Sequence, residues 1–256
     1  MGIRGLAAAG LFAAAAVAAG ETADELIAKN IEARGGLDNL KAVQTMRLTG
    51  TMTGGDESMP SVLELKRPNK SRWEFRVDGQ TAVQAFDGKA GWMWIPFAGQ
   101  TEPEPMSAEE SAEAEQQADL DGPLVDYKQK GSKVELLGHD ADFRAEDWKL
   151  KVTLKSGEVR FVYLDPKTFL QSVTVTKKKI GGVELEIRSE VGDYRKVGAL
   201  VLPHTFTATS SGGGQTQSLK FDKIELNVPI DDSQFVMPVR KRRAQPDELS
   251  PTPTVG

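Results

Sequence analysis

The chain has 256 residues, 39% of them hydrophobic and 27% charged, with a formal net charge of -5. That apolar share is enough for a core and argues against wholesale disorder. A mildly acidic protein gains nothing from a phosphate backbone, so nucleic acid is excluded as an expected partner. Cysteine is absent, which removes a disulfide framework, a Cys-ligated metal, a thiol nucleophile and a lipid-modified cysteine.

The first segment, residues 1–20, reads as an export signal. One positive charge lies within Met1 to Arg4, an apolar stretch runs from Gly5 to Ala19, and small residues at Ala16-Val17-Ala18 or Ala18-Ala19-Gly20 suit cleavage. The run is too short and Ala-rich for a comfortable membrane span; an uncleaved anchor is the alternative. An exported mature chain is expected to begin near Glu21. Thr22 to Arg34 has helical spacing, with Leu26, Ile27 and Ile31 on one face. Thr22 and Glu25 form a capping box. Gly35-Gly36 stops this helix, and a short second helix is expected from Leu37 to Val43.

From Gln44 onward the period changes to two. Leu63 and Leu65 alternate with Glu64 and Lys66; Trp73, Phe75 and Val77 with Arg72, Glu74 and Arg76. The same pattern returns at Leu150, Val152 and Leu154, at Val183, Leu185 and Ile187, and at Leu219 and Phe221. Such strands have one apolar face and one wet face, the signature of an antiparallel sheet. Turn signals separate them at Gly54-Gly55, Asp78-Gly79, Asp87-Gly88, Ser156-Gly157, Gly181-Gly182 and Gly212 to Gly214. The short connections predict up-and-down hairpins of roughly ten or eleven strands, and no βαβ rhythm is present.

One acidic, Ala/Glu/Gln-rich segment breaks the rhythm. Ser107 and Glu110 frame a second capping box, so a helix is expected from Ala108 to Ala118, followed by a loop through Asp121-Gly122-Pro123. Residues 21–239 are expected to form one domain. A basic cluster, Arg240 to Arg243, and a Pro/Ser/Thr tail reaching residue 256 are expected to be disordered.

A sheet this wide must curl or pack on something. Two helical pieces are available, and the mid-chain one can cover only a thin strip. Two arrangements satisfy the pattern: a curved sheet whose apolar hollow holds a ligand, and a fully packed sandwich or barrel. Trp73, Trp92 and Trp94 suit a cavity wall or a core; the pattern alone favours core.

Other chemistry is sparse. There are two histidines. His139-Asp140-x-Asp142 could ligate a metal but sits in a polar turn, and His204 follows Pro203 at a strand start. Asp119-x-Asp121-Gly122 lacks the remaining ligands of a calcium loop. No nucleophile elbow, P-loop or dinucleotide glycine pattern occurs. Neither a metal nor a cofactor is expected, and an enzyme is disfavoured.

Lys66-Arg67-Pro68-Asn69, then Trp73, Asp87-Gly88-Lys89, Trp92 and Pro96-Phe97, resemble in order and spacing the LolA-like family of outer-membrane lipoprotein-sorting proteins. Phe235-Val236-Met237-Pro238 fits the family's closing segment. The resemblance implies an unclosed antiparallel β-barrel with helices as a lid. It implies a periplasmic carrier that takes lipoprotein acyl chains or other lipid from an inner-membrane transporter to an outer-membrane acceptor. It also implies that Arg67 hydrogen-bonds the lid backbone and keeps the empty cavity closed. Arg67 continues the phase of Leu63 and Leu65, and its guanidinium has five donors for lid carbonyls. Lys70 and Ser71 stand where the family carrier has apolar residues. The expected wall residues are Met46, Leu48, Leu63, Leu65, Trp73, Phe75, Trp92, Leu150, Val152 and Phe206. An envelope sensor or protein-interaction module on the same fold is the alternative function.

Overall fold

A computed structural model describes residues 21–55, 57–180, 183–211 and 216–238. The expected export signal, the Gly181-Gly182 and Gly212 to Gly214 turns and the Arg240 to Arg243 cluster lie outside the described residues.

The chain enters through α1 (Ala23–Ala33), whose capping box is formed as expected: Thr22 Oγ1 accepts from the Glu25 backbone and Glu25 reaches back to the Thr22 backbone. Gly35 ends the helix at a φ of 115°, and a Cβ there would lie 2.3 Å from the Ala199 carbonyl oxygen. Only glycine satisfies both the left-handed backbone and the close approach. After α2 (Leu37–Ala42) come β1 (Thr45–Gly54), β2 (Glu57–Lys66), β3 (Lys70–Val77), β4 (Gln80–Phe86), β5 (Gly91–Trp94) and β6 (Glu104–Pro105). The mid-chain helix α3 (Ala108–Gln117) begins with the expected Ser107 and Glu110 capping box. Then follow β7 (Lys133–His139), β8 (Trp148–Thr153), β9 (Val159–Leu164), β10 (Gln171–Ile180), β11 (Val183–Val197), β12 (Leu200–Ser210) and β13 (Gln217–Leu226).

These strands make one thirteen-stranded sheet in the order β6-β5-β4-β3-β2-β1-β13-β12-β11-β10-β9-β8-β7. Among the described strands every pairing is antiparallel, and the two end strands, β6 and β7, are not joined. The fold is therefore a mainly β, unclosed barrel with a few helices. Its thirteen strands exceed the ten or eleven expected. The two-residue β6 shows why: it pairs with β5 through Trp92 opposite Pro105 and Met93 opposite Glu104, a contact with no side-chain period to announce it.

Two halves built from sequential hairpins meet where β1 pairs with β13. The register shifts between Thr49 and Gly50. A Cβ on Gly50 would lie 1.9 Å from the Lys220 carbonyl oxygen, so glycine lets the two backbones close at this seam.

Candidate functional site

Partners directly opposite in an antiparallel pair share a face of the sheet. Leu48 lies opposite Leu63, Leu63 opposite Trp73, Trp73 opposite Gln84 and Gln84 opposite Met93. Met46 and Leu65 belong to this same face. It is the inner face, against which the helices pack.

Much of the inner face is filled by the protein itself. Met46, Leu48 and Leu65 are buried in a cluster with Leu40, Val43 and Val125, with Leu63 and Phe206 packed at its margin. Leu150 and Val152 are fully buried beneath Leu26 and Ile27 of α1. These two pack as core beneath a helix rather than facing a hollow.

The unfilled part lies farther along, beneath α3. A hollow of about 670 Å³ is lined by Trp73, Gln84, Met93 and Met106 on one side. Arg160, Lys178, Ser189 and Ala208 line the other, with Glu110, Glu113 and Gln116 of α3 above. Residues of β3–β5 and of β9–β12 face the same space, so the sheet curls until its halves oppose each other. Phe75 adjoins Trp73 at a ring-centroid distance of 5.6 Å, and Phe97 lies 5.9 Å beyond it. Trp73 anchors its indole by donating to Ser61 Oγ at 2.6 Å.

Trp92 is on the opposite face. It lies across from Ala85, which lies across from Arg72. Its indole donates to the Phe235 carbonyl at 2.8 Å, and the Arg72 guanidinium sits 5.7 Å above its ring. The structure thus corrects the expected placement of Trp92 in the cavity wall. Trp92-Met93-Trp94 is apolar at every position, so its period could not say which residue points inward. The covering segment, residues 227–238, crosses the outer face as a strap. Thr45 Oγ1 donates to the Val228 carbonyl at 2.6 Å, Lys66 to that of Ile230 at 2.7 Å and Arg72 to that of Gln234 at 3.0 Å.

Arg67 ties three segments together. Its Nε donates to the Val43 carbonyl at 2.7 Å and Nη2 to the Leu40 carbonyl at 3.0 Å. These carbonyls lie at the C-terminal end of α2, where helical bonding runs out; Leu40 receives only the Val43 N–H at 3.3 Å besides the guanidinium. The same guanidinium grips Asp121 in a fork, Nη1 to Oδ2 at 2.9 Å and Nη2 to Oδ1 at 2.6 Å. Lys41 adds bonds to Asp121 at 2.6 Å and Asp126 at 2.6 Å, and Arg34 donates to the Asp121 backbone carbonyl at 3.0 Å. Asp121 follows α3, so this knot fixes the outgoing end of the mid-chain helix to α1, α2 and β2.

Burial pushes the Asp121 carboxyl up, but the bonds from Arg67 and Lys41 outweigh it and hold its pKa at about 2. A carboxyl depressed in the folded state contributes stability above its unfolded pKa, and that contribution disappears as pH falls through the folded value. The depression from 3.8 to about 2 is worth about 2 kcal/mol. The stability gap between wild type and Asp121→Asn is expected to be constant above pH 5 and to shrink between pH 4 and pH 2. A gap in urea-unfolding free energy that does not narrow across that window would count against the assignment.

Lys41, Arg160 and Lys178 belong to the candidate site without any signal in the sequence, and Asp121 takes a place in it other than the expected one. By sequence Asp121 falls in the Asp121-Gly122-Pro123 loop and in a calcium-like motif that lacks its remaining ligands. Instead Asp121 is the anchor for Arg67, and Asp119 pairs with Lys130 at 2.5 Å. The other weak metal motif is similarly engaged: Asp140 accepts from Lys149 at 2.7 Å and Tyr163 at 2.9 Å. Among the described residues no group of three or more His, Asp or Glu side chains is placed to hold a metal.

No family model matches the sequence, and no curated protein matches it. Solved structures do match in shape. A LolA superfamily protein from Nitrosomonas europaea superposes with a TM-score of 0.58 at 12% identity, over 84% of this chain and 98% of that one. A DUF1329 family protein from Desulfovibrio piger gives 0.58 at 11% identity, over 83% and 96%. A putative outer membrane lipoprotein-sorting protein domain from Vibrio parahaemolyticus gives 0.54 at 13% identity, over 82% and 97%. The chain has the LolA-like fold.

Proposed function

We propose that this protein is a non-enzymatic periplasmic carrier that holds an acyl chain beneath α3 and moves it toward the outer membrane. The observation that carries this reading is the hollow of about 670 Å³ that the protein's own helices leave unfilled. Its size is within the range of small-molecule sites, roughly 300–1,000 Å³. Trp73, Met93 and Met106 supply an aromatic and flexible apolar lining, and each buried CH₂ of a ligand contributes about 0.8 kcal/mol. The fold supports the reading, because a putative outer membrane lipoprotein-sorting protein domain shares it. An inner-membrane donor and an outer-membrane acceptor are the partners it implies.

Native mass spectrometry with solvent extraction of protein purified from the cell envelope is expected to release acylated species. Protein that emerges empty and instead binds a defined envelope protein would replace this reading with the sensor alternative. Trp73→Ala is expected to weaken binding of a long-chain acyl probe about tenfold. Trp92→Phe, on the other face, is expected to leave probe affinity unchanged. Equal losses in both variants would place the ligand elsewhere.

A further inference from the structure

The hollow beneath α3 is divided by charge in a particular way. Every carboxylate lining it belongs to the helix, at Glu110 and Glu113; the cations lining it, Arg160 and Lys178, belong to the sheet. Helix α3 itself carries Glu109, Glu110, Glu113 and Glu115 and no basic residue. Its attachment to this wall is polar: Lys178 pairs with Glu113, and Arg160 donates to the Gln116 side chain. The attachment to the other wall is mainly apolar, through Ala114 and Ala118 against Phe86 and Met106, with one bond from Ser71 Oγ to the Ala114 carbonyl. Glu113 is half exposed, whereas Lys178 and Arg160 are mostly covered, at 21% and 22% side-chain exposure.

We infer that the natural ligand is an amphiphile with an anionic head, which sits on Arg160 and Lys178 in place of Glu113 and Gln116. This rests on the carrier reading and specifies its ligand class. The wall offers hydrogen-bond donors where the head would lie, from Arg160, Lys178 and Ser189, while Trp73, Met93 and Met106 face the tail. Arg160 keeps its bond to Glu158 at 2.6 Å throughout the exchange, so its guanidinium stays oriented and its remaining donors turn to the ligand. Because the ligand takes the partners that fasten α3 to this one wall, binding and loosening of that attachment become one event. A neutral amphiphile can accept hydrogen bonds there but supplies no charge to replace Glu113 on Lys178.

The test uses the full chain at pH 8 and three probes with the same C18 tail: oleate, monooleyl phosphate and oleyl alcohol. At least one anionic probe is expected to bind tenfold or more tighter than the alcohol, as a charge-assisted contact implies. Preference for oleate identifies a carboxylate head and preference for monooleyl phosphate a phosphate head. Lys178→Gln and Arg160→Gln are each expected to lower anion affinity about tenfold and leave the alcohol unmoved. Glu113→Gln removes the competing carboxylate without touching the sheet and is expected to strengthen anion binding several-fold. Equal affinity for the three probes, or weaker anion binding by Glu113→Gln, overturns the anionic head while the carrier reading stands. Failure of all three to bind overturns both.

Discussion

Arg67→Leu is expected to destabilise the protein by about 3 kcal/mol in urea unfolding, the scale of breaking a buried ion pair from one side. The leucine cannot satisfy Asp121, whose side chain is 5% exposed. It also removes the guanidinium from the Val43 carbonyl, where it donates at 2.7 Å, and from the Leu40 carbonyl, which keeps only the Val43 N–H at 3.3 Å. Lys41 stays on Asp121 and keeps the loss from being larger. Removing both ends relieves the orphaned charge, so Arg67→Leu with Asp121→Leu is expected to be more stable than Arg67→Leu alone. The same substitution frees the segment following α3, and cargo retention is expected to change. Retention and unfolding identical to wild type would remove Arg67 from any role in keeping the hollow closed.

Phe235→Ala is expected to cost about 3–5 kcal/mol, the range for deleting a buried phenyl ring. Phe235 is wholly buried, and its backbone carbonyl receives the Trp92 indole. The strap's other attachments run through backbone carbonyls of Val228, Ile230 and Gln234 and through the side chains of Asn227 and Asp232, and truncating Phe235 leaves these intact. The loss is therefore one of packing, and it should be accompanied by a red shift in Trp92 emission as water reaches the ring. An unfolding midpoint within error of wild type would mean that the strap is held by its polar contacts alone.

Both capping boxes could be read directly, because the chemistry of Thr22 with Glu25 and of Ser107 with Glu110 is complete within one helical turn. The sheet is legible through its period of two; the lid contact of Arg67 is legible through the family resemblance, with which its phase relative to Leu63 and Leu65 agrees. What could not be read is which part of the apolar face the helices cover. Leu150 and Trp73 obey the same alternation, yet Leu150 is sealed beneath α1 and Trp73 borders a hollow. That difference is set by where Leu26 and Ile27 dock, a tertiary fact with no local signal. The partnership of Arg67 with Asp121 spans a sequence separation of 54, and an Asp followed by glycine looks like an ordinary turn.

The strand order has a consequence for how the molecule comes into being. Hairpin neighbours can pair as soon as both strands exist, but β1 is the earliest strand made and its second partner, β13, is the last. A nascent chain emerging from its N-terminus must leave one flank of β1 unzipped until Gln217–Leu226 arrives. The loop thereby closed is long, and topologies dominated by such distant pairings assemble slowly. Full zippering thus waits for the last described strand, and a product truncated before Gln217 would expose two raw sheet edges, the flanks of β1 and β12, to aggregation.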